Sequence, residues 1–198
     1  GEHLGALDPA YMQRMKRGAT IWTQREPKYH EHPKYGRGDR SKMGWGPEKF
    51  GSWVDVRSTD NLRAMRETSV YLFAEETGNE QTRQLYERKL QRYVTALYHV
   101  GMGEWDSENY HAHTLMPYLN LYDFAKDPEV KMLAKAACDW LCAAGALKYY
   151  RGGFGGPSKR DYGGANTVFG AGVSHMLYVY FGDCPIADPD PHYDDVHA

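Results

Sequence analysis

Between residues 58 and 149 apolar side chains return every three or four positions in four successive runs, and the breaks between paired runs are very short. That period is the signature of amphipathic helices packed along one face. Leu62, Met65, Ser69, Leu72, Phe73 and Glu76 align in the first run, 58–77. Tyr86, Leu90, Tyr93, Val94 and Leu97 align in the second, 80–100. The third, 107–125, aligns Leu115, Tyr118, Leu119 and Tyr122. The fourth, 128–149, aligns Val130, Leu133, Ala134, Ala137, Leu141 and Ala144. Gly78 stops the first helix, and Asp127-Pro128 caps and starts the fourth. Links this short force antiparallel helical hairpins. Pro117 lies inside the third run, where it removes a backbone hydrogen bond and predicts a kink.

The flanks are built differently. Asp8 and Pro9 open a helix over 8–24 with Tyr11, Met15, Ala19 and Trp22 on one face. Residues 25–57 mix Pro and Gly with Tyr29, Tyr35, Trp45, Phe50 and Trp53, which predicts an ordered irregular arm that packs by its aromatics across the helices. Residues 151–165 hold six glycines with Arg151, Lys159, Arg160 and Tyr162, a loop that lets backbone approach a ligand closely. A last helix is expected over 166–181, followed by an acidic tail, 183–198. The expected fold is therefore all-α: antiparallel helical hairpins as in an (α/α) toroid, or part of one, with a long N-terminal arm, in one domain of 198 residues.

Composition excludes several classes. The net charge of −2 comes from interspersed charges of both signs, without the clustered basic face of a nucleic-acid binder. No apolar run approaches the roughly 20 residues that span a bilayer. No signal-peptide pattern opens the chain, although a processed, secreted or periplasmic protein is compatible with its start. The three cysteines have neither the count nor the spacing of a disulfide framework or zinc site. His30 and His32 form an H-x-H pair without a third ligand nearby, and residues 151–165 lack the order of a phosphate loop, so no metal or cofactor is expected. Sixteen tyrosines and five tryptophans favour a surface that is both apolar and hydrogen-bonding, as in a sugar cleft or an interface.

The most suggestive stretch is 103–126. An acidic, aromatic turn, Glu104-Trp105-Asp106, leads into the third helix with Ser107 or Asp106 as its N-cap. Opposite the apolar face runs a polar stripe of Asn109, His113 and Asn120, suited to directional hydrogen bonds with a polar ligand or with neighbouring backbone.

Three segments resemble bacterial proteins with (α/α) toroid folds, similar in plan to heparinase-type and alginate-lyase-type polysaccharide lyases. They are Thr59-Asp60-Asn61-Leu62-Arg63-Ala64-Met65, Gly101-Met102-Gly103-Glu104-Trp105-Asp106-Ser107-Glu108-Asn109-Tyr110 and Leu119-Asn120-Leu121-Tyr122-Asp123-Phe124-Ala125. The resemblance covers about 55–182. It implies β-elimination on a uronate-containing polysaccharide or oligosaccharide. It also implies Asn109 and His113 as carboxylate neutraliser and base, Tyr162 as proton carrier in preference to Tyr110, and Arg160 on the substrate carboxylate. Trp105, Asp106, Tyr110 and Asn61 complete the substrate-binding set. A toroid of that kind has about twice as many helices, so the chain is expected to be part of one or to complete itself by self-association. Two alternatives stand beside this reading. Glu104 and Asp106, with Glu108 or Asp161, are the residue types of a glycoside hydrolase acid and base. A non-enzymatic binding or self-assembling structural protein would use the arm and tail on its neighbours.

Overall fold

The computed structural model describes residues 8–25, 59–104, 107, 110–150, 153–154 and 176–177. Its regular elements are α1 (Pro9–Arg25), α2 (Asp60–Thr77), α3 (Glu80–Val100), α4 (Tyr110–Phe124) and α5 (Pro128–Ala146), then a ribbon of β1 (Tyr149–Tyr150) and β2 (Gly153–Phe154). The described part is thus all-helical apart from this ribbon, in which Tyr149 faces Phe154 and Tyr150 faces Gly153. The fourth expected helix, 128–149, ends sooner, at Ala146, and Tyr149-Tyr150 enters the ribbon instead. Aromatic residues beside a glycine-rich turn favour an extended pair over another helical turn.

Four of the five described helices open on a side-chain cap, and α2, where Thr59 makes no such bond, has a glycine stop. Asp8 Oδ1 accepts the Ala10 amide at 2.7 Å. Asn79 accepts the Thr82 amide, Ser107 Oγ the Tyr110 amide at 3.3 Å, and Asp127 the Glu129 amide at 2.9 Å. These side chains occupy donors that a helix N-terminus leaves orphaned. Gly78 ends α2 with φ of 69°, the left-handed conformation that a side chain would strain, and Asn79 N then closes back onto Ala74 O at 2.8 Å.

Four helices form a closed square. α2 packs on α3 and α4, and α5 packs on α4 and α3, while α1 lies along α2. Both tight turns are at one end. Glu75, in the last turn of α2, accepts the Lys126 amide at 2.8 Å and the Asp127 amide at 3.2 Å from the turn between α4 and α5. Arg83, in the first turn of α3, reaches Asp127 at 3.6 Å. At the other end Asp60, which opens α2, accepts the Glu104 amide at 3.0 Å from the segment that leads into α4. Among the described residues, α2–α5 therefore form two antiparallel hairpins stacked in register, with α2 and α4 parallel. Tyr98 Oη donates to Ala136 O at 2.9 Å and ties α3 to α5.

The core runs through all four helices and includes Leu90, Leu97, Leu115, Leu121 and Leu141, each fully buried. Each such side chain stabilises the fold by roughly 1.5–3 kcal/mol relative to exposure. The inward face predicted for α3 is the buried one: Tyr86, Leu90, Tyr93, Val94 and Leu97. That of α2 is rotated. Ala64, Val70, Tyr71 and Ala74 are buried with Asn61, Arg66, Glu67 and Thr68, whereas Phe73 and Glu76 face outward. α2 has neighbours on three sides, so its interior positions include polar ones that apolar periodicity does not mark. On α4, Tyr122 is likewise exposed, and Pro117 sits buried within an uninterrupted helix.

Candidate functional site

The two parallel helices α2 and α4 both begin at the loop end, beside segment 101–107. Their first two turns, with the facing part of α3, hold a dense group of polar side chains. Asp60 fixes the segment through the Glu104 amide. The approach leaves little room: a Cβ on Gly103 would lie 3.1 Å from Asp60 Oδ2. Glu104 and Ser107 are consequently buried where α4 starts.

Deeper in, Tyr93 of α3 and Tyr118 of α4 stack with ring centroids 5.9 Å apart and planes 6° from parallel. The Arg63 guanidinium lies 5.5 Å from the Tyr93 ring centroid and also pairs with Glu67 Oε1 at 3.2 Å. Both tyrosine hydroxyls are buried and have no hydrogen-bond partner among the described residues. Burial pushes both phenols well above their ordinary range. At Tyr93 the neighbouring Asp60 carboxylate adds to the effect, and at Tyr118 the partner tyrosine and Glu67 do. These phenols are neutral donors at physiological pH rather than bases.

Of the residues expected in the site, His113 and Tyr110 lie on the first turn of α4, half-buried, with ring centroids 6.1 Å apart and tilted by 51°. Asn61 is buried in the first turn of α2, where its Oδ1 accepts the Thr59 hydroxyl at 2.5 Å. The structure brings these three to the same end of the hairpin stack. Asn109, Trp105, Asp106, Arg160 and Tyr162 lie outside the described residues, as do the arm expected over 25–57 beyond its first residue, the last helix expected over 166–181 except for 176–177, and the tail at 183–198. Asn120, the last member of the polar stripe, is exposed further along α4. Ser107 is the residue that caps α4, as its position suggested.

Three members of this region escaped sequence reasoning: the stacked pair Tyr93 and Tyr118, which read as ordinary core, and His111. The His111 Nε2 donates to Leu141 O at 2.8 Å, since a carbonyl only accepts, and this bond joins α4 to α5. Gly145, one turn further along α5, makes room for Leu177, whose Cδ1 would lie 3.1 Å from a Cβ there, while His111 Nε2 would be in ordinary contact at 3.6 Å. The signal was present in the spacing: His111 precedes Leu115 by four residues and Tyr118 by seven, on one helical face.

Among the described residues no group of three or more His, Cys, Asp or Glu side chains is placed to hold a metal ion, and no helix is long and apolar enough to cross a membrane. Cys138 and Cys142 are free thiols on α5. No protein-family model matches the chain, and comparison with curated proteins and with solved structures finds no match.

Proposed function

We propose that the stacked hairpins are part of an (α/α) toroid whose loop end binds a uronate-containing polysaccharide and cleaves it by β-elimination. The observation that carries this reading is the convergence at one end of the parallel starts of α2 and α4. That end gathers Asn61, Arg63, Tyr110 and His113 beside the segment that continues to Trp105, Asp106 and Asn109. Longer loops at one end of a helical array are where such folds build a cleft. Half-buried aromatic rings provide stacking surface for sugar faces, and amide and guanidinium groups provide donors to carboxylates.

In the proposed reaction Asn109 hydrogen-bonds the uronate carboxylate and stabilises the negative charge that develops on it. His113 takes the proton from the carbon next to that carboxylate. The electron pair left behind forms a C=C bond as the bond to the glycosidic oxygen at the neighbouring carbon breaks. Tyr162 gives its proton to the departing oxygen. Arg160 holds the substrate carboxylate in register, and Trp105 and Tyr110 pack on the sugar rings.

A screen of anionic and neutral polysaccharides tests this, read by ultraviolet absorbance of the unsaturated product and by reducing ends. Wild-type protein should generate absorbance and reducing ends together. Asn109→Ala and His113→Ala should each lower the rate by roughly a hundredfold or more while leaving the circular dichroism spectrum intact. Reducing ends without absorbance would sink elimination in favour of hydrolysis.

A further inference from the structure

At the turn end, opposite the loop end, α1 leans on α2 and leaves a cleft of about 610 Å³ between them and the end of α4. Its walls are Met12 and Met15 of α1, Leu72 and Phe73 of α2, and Phe124 of α4, with Gly18 opening onto it. The volume is that of a small-molecule site, and flexible methionines beside aromatic rings suit an unbranched apolar chain. Phe124 is 60% exposed, so the apolar floor faces solvent.

The rim is charged in an unequal way. Lys16 and Lys126 converge on the single carboxylate of Glu76, at 3.2 and 2.8 Å, and together hold its carboxyl below the ordinary range, Lys126 most strongly. Glu75 also borders the cleft, but its oxygens accept the Lys126 and Asp127 amides and the Tyr71 hydroxyl. Two ammonium groups therefore share one uncommitted carboxylate. The α1 residues that line the cleft, Met12, Met15, Lys16, Gly18 and Ala19, add one cation and no acidic residue.

We propose that this cleft binds a single-chain amphiphilic carboxylate, its alkyl chain among Met12, Met15, Leu72, Phe73 and Phe124 and its head between Lys16 and Lys126. A second anion between the two lysines would give an alternating arrangement of two positive and two negative groups, which satisfies ammonium donors that now share Glu76. A neutral or cationic amphiphile gains the apolar contacts without that pairing.

Dodecanoate, held below its micelle concentration, is titrated into the full chain by calorimetry and by amide NMR, beside dodecanol and dodecyltrimethylammonium. One dodecanoate should bind per chain, with the largest shifts at Ala19, Leu72 and Phe124. Lys16→Gln with Lys126→Gln should weaken it roughly tenfold while sparing dodecanol. Gly18→Trp should block all three ligands. A Cβ at Gly18 meets nothing within 4 Å, so the indole enters the cleft without displacing the helix. No binding of dodecanoate, equal or tighter binding of dodecyltrimethylammonium, or binding untouched by Gly18→Trp would each overturn the proposal. So would a concentration-dependent dimer that Gly18→Trp abolishes, because the cleft would then be filled by a second copy.

Discussion

Replacing Tyr118 by phenylalanine should make the protein more stable. The usual Tyr→Phe change in a core removes a hydrogen bond and destabilises. Here the hydroxyl is fully buried and has no partner among the described residues. An unmade buried hydrogen bond costs about 1–3 kcal/mol, so deleting the hydroxyl should recover about 1 kcal/mol after allowance for the small void left behind. The ring itself stays, and with it the stack on Tyr93. Tyr71 is the internal control. It is equally buried, but its hydroxyl donates to Glu75 Oε1 at 3.0 Å. Tyr71→Phe loses a bond to a charged acceptor and should destabilise by about 1.5–3 kcal/mol. Urea denaturation followed by circular dichroism, with the slope unchanged, measures both on one scale. The two midpoints should move in opposite directions. A Tyr118→Phe protein less stable than wild type by 1 kcal/mol or more would refute the reasoning, because it would mean that the hydroxyl is satisfied.

The clamp between the hairpins gives the next expectation. Glu75→Gln places an NH₂ against one of the two backbone amides that the carboxylate now accepts, and should cost about 1–3 kcal/mol in the same denaturation assay. Alkaline titration tests Tyr93 and Tyr118. Their folded-state pKa values are raised, so their contribution is fully present below the unfolded value, about 10, and is lost as pH rises toward the folded one. Stability should therefore fall from about pH 10 upward, with the last part of the tyrosinate absorbance appearing together with loss of helix, and Tyr93→Phe with Tyr118→Phe should flatten that fall. Burial pushes the Cys138 thiol up to about 12, so at pH 8 the folded protein should label at Cys142 far faster than at Cys138, as read by peptide mass spectrometry.

The sequence was most legible where a helix has one interior face. α3 carries its large apolar residues in a single stripe, and the apolar period located Tyr86, Leu90, Tyr93, Val94 and Leu97 without help from tertiary structure. The turns were legible because Gly78 and Asp127-Pro128 have local conformational reasons to be there. α2 was not legible in the same way. Covered by α1, α3 and α4, it buries Asn61, Arg66, Glu67 and Thr68, and a period counted from Leu62 to Leu72 marks only its half-buried flank. In the candidate site, the positions of Tyr110 and His113 followed from the helix start. The role of His111 did not, because it depends on Leu141, thirty residues away.

The two ends of the hairpin stack treat polar groups differently, and the contrast bears on function. At the turn end Glu75, Arg83 and Asp127 exchange hydrogen bonds and charge in a network that ties both hairpins together. Such a network is what a fold needs to fix the register of two stacked units. At the loop end Tyr93 and Tyr118 bury hydroxyls that no described residue engages, beside Arg63 and Glu67. Against a total stability of about 5–15 kcal/mol, two unmet hydroxyls at about 1–3 kcal/mol each are a large fraction to set against the fold. Stability alone would favour two phenylalanines there, of nearly the same volume and with the same stacking. Departures from local consistency gather where a protein does something other than hold its shape. By that argument the loop end, rather than the well-matched turn end, is where substitutions that raise the denaturation midpoint should lower the activity proposed above.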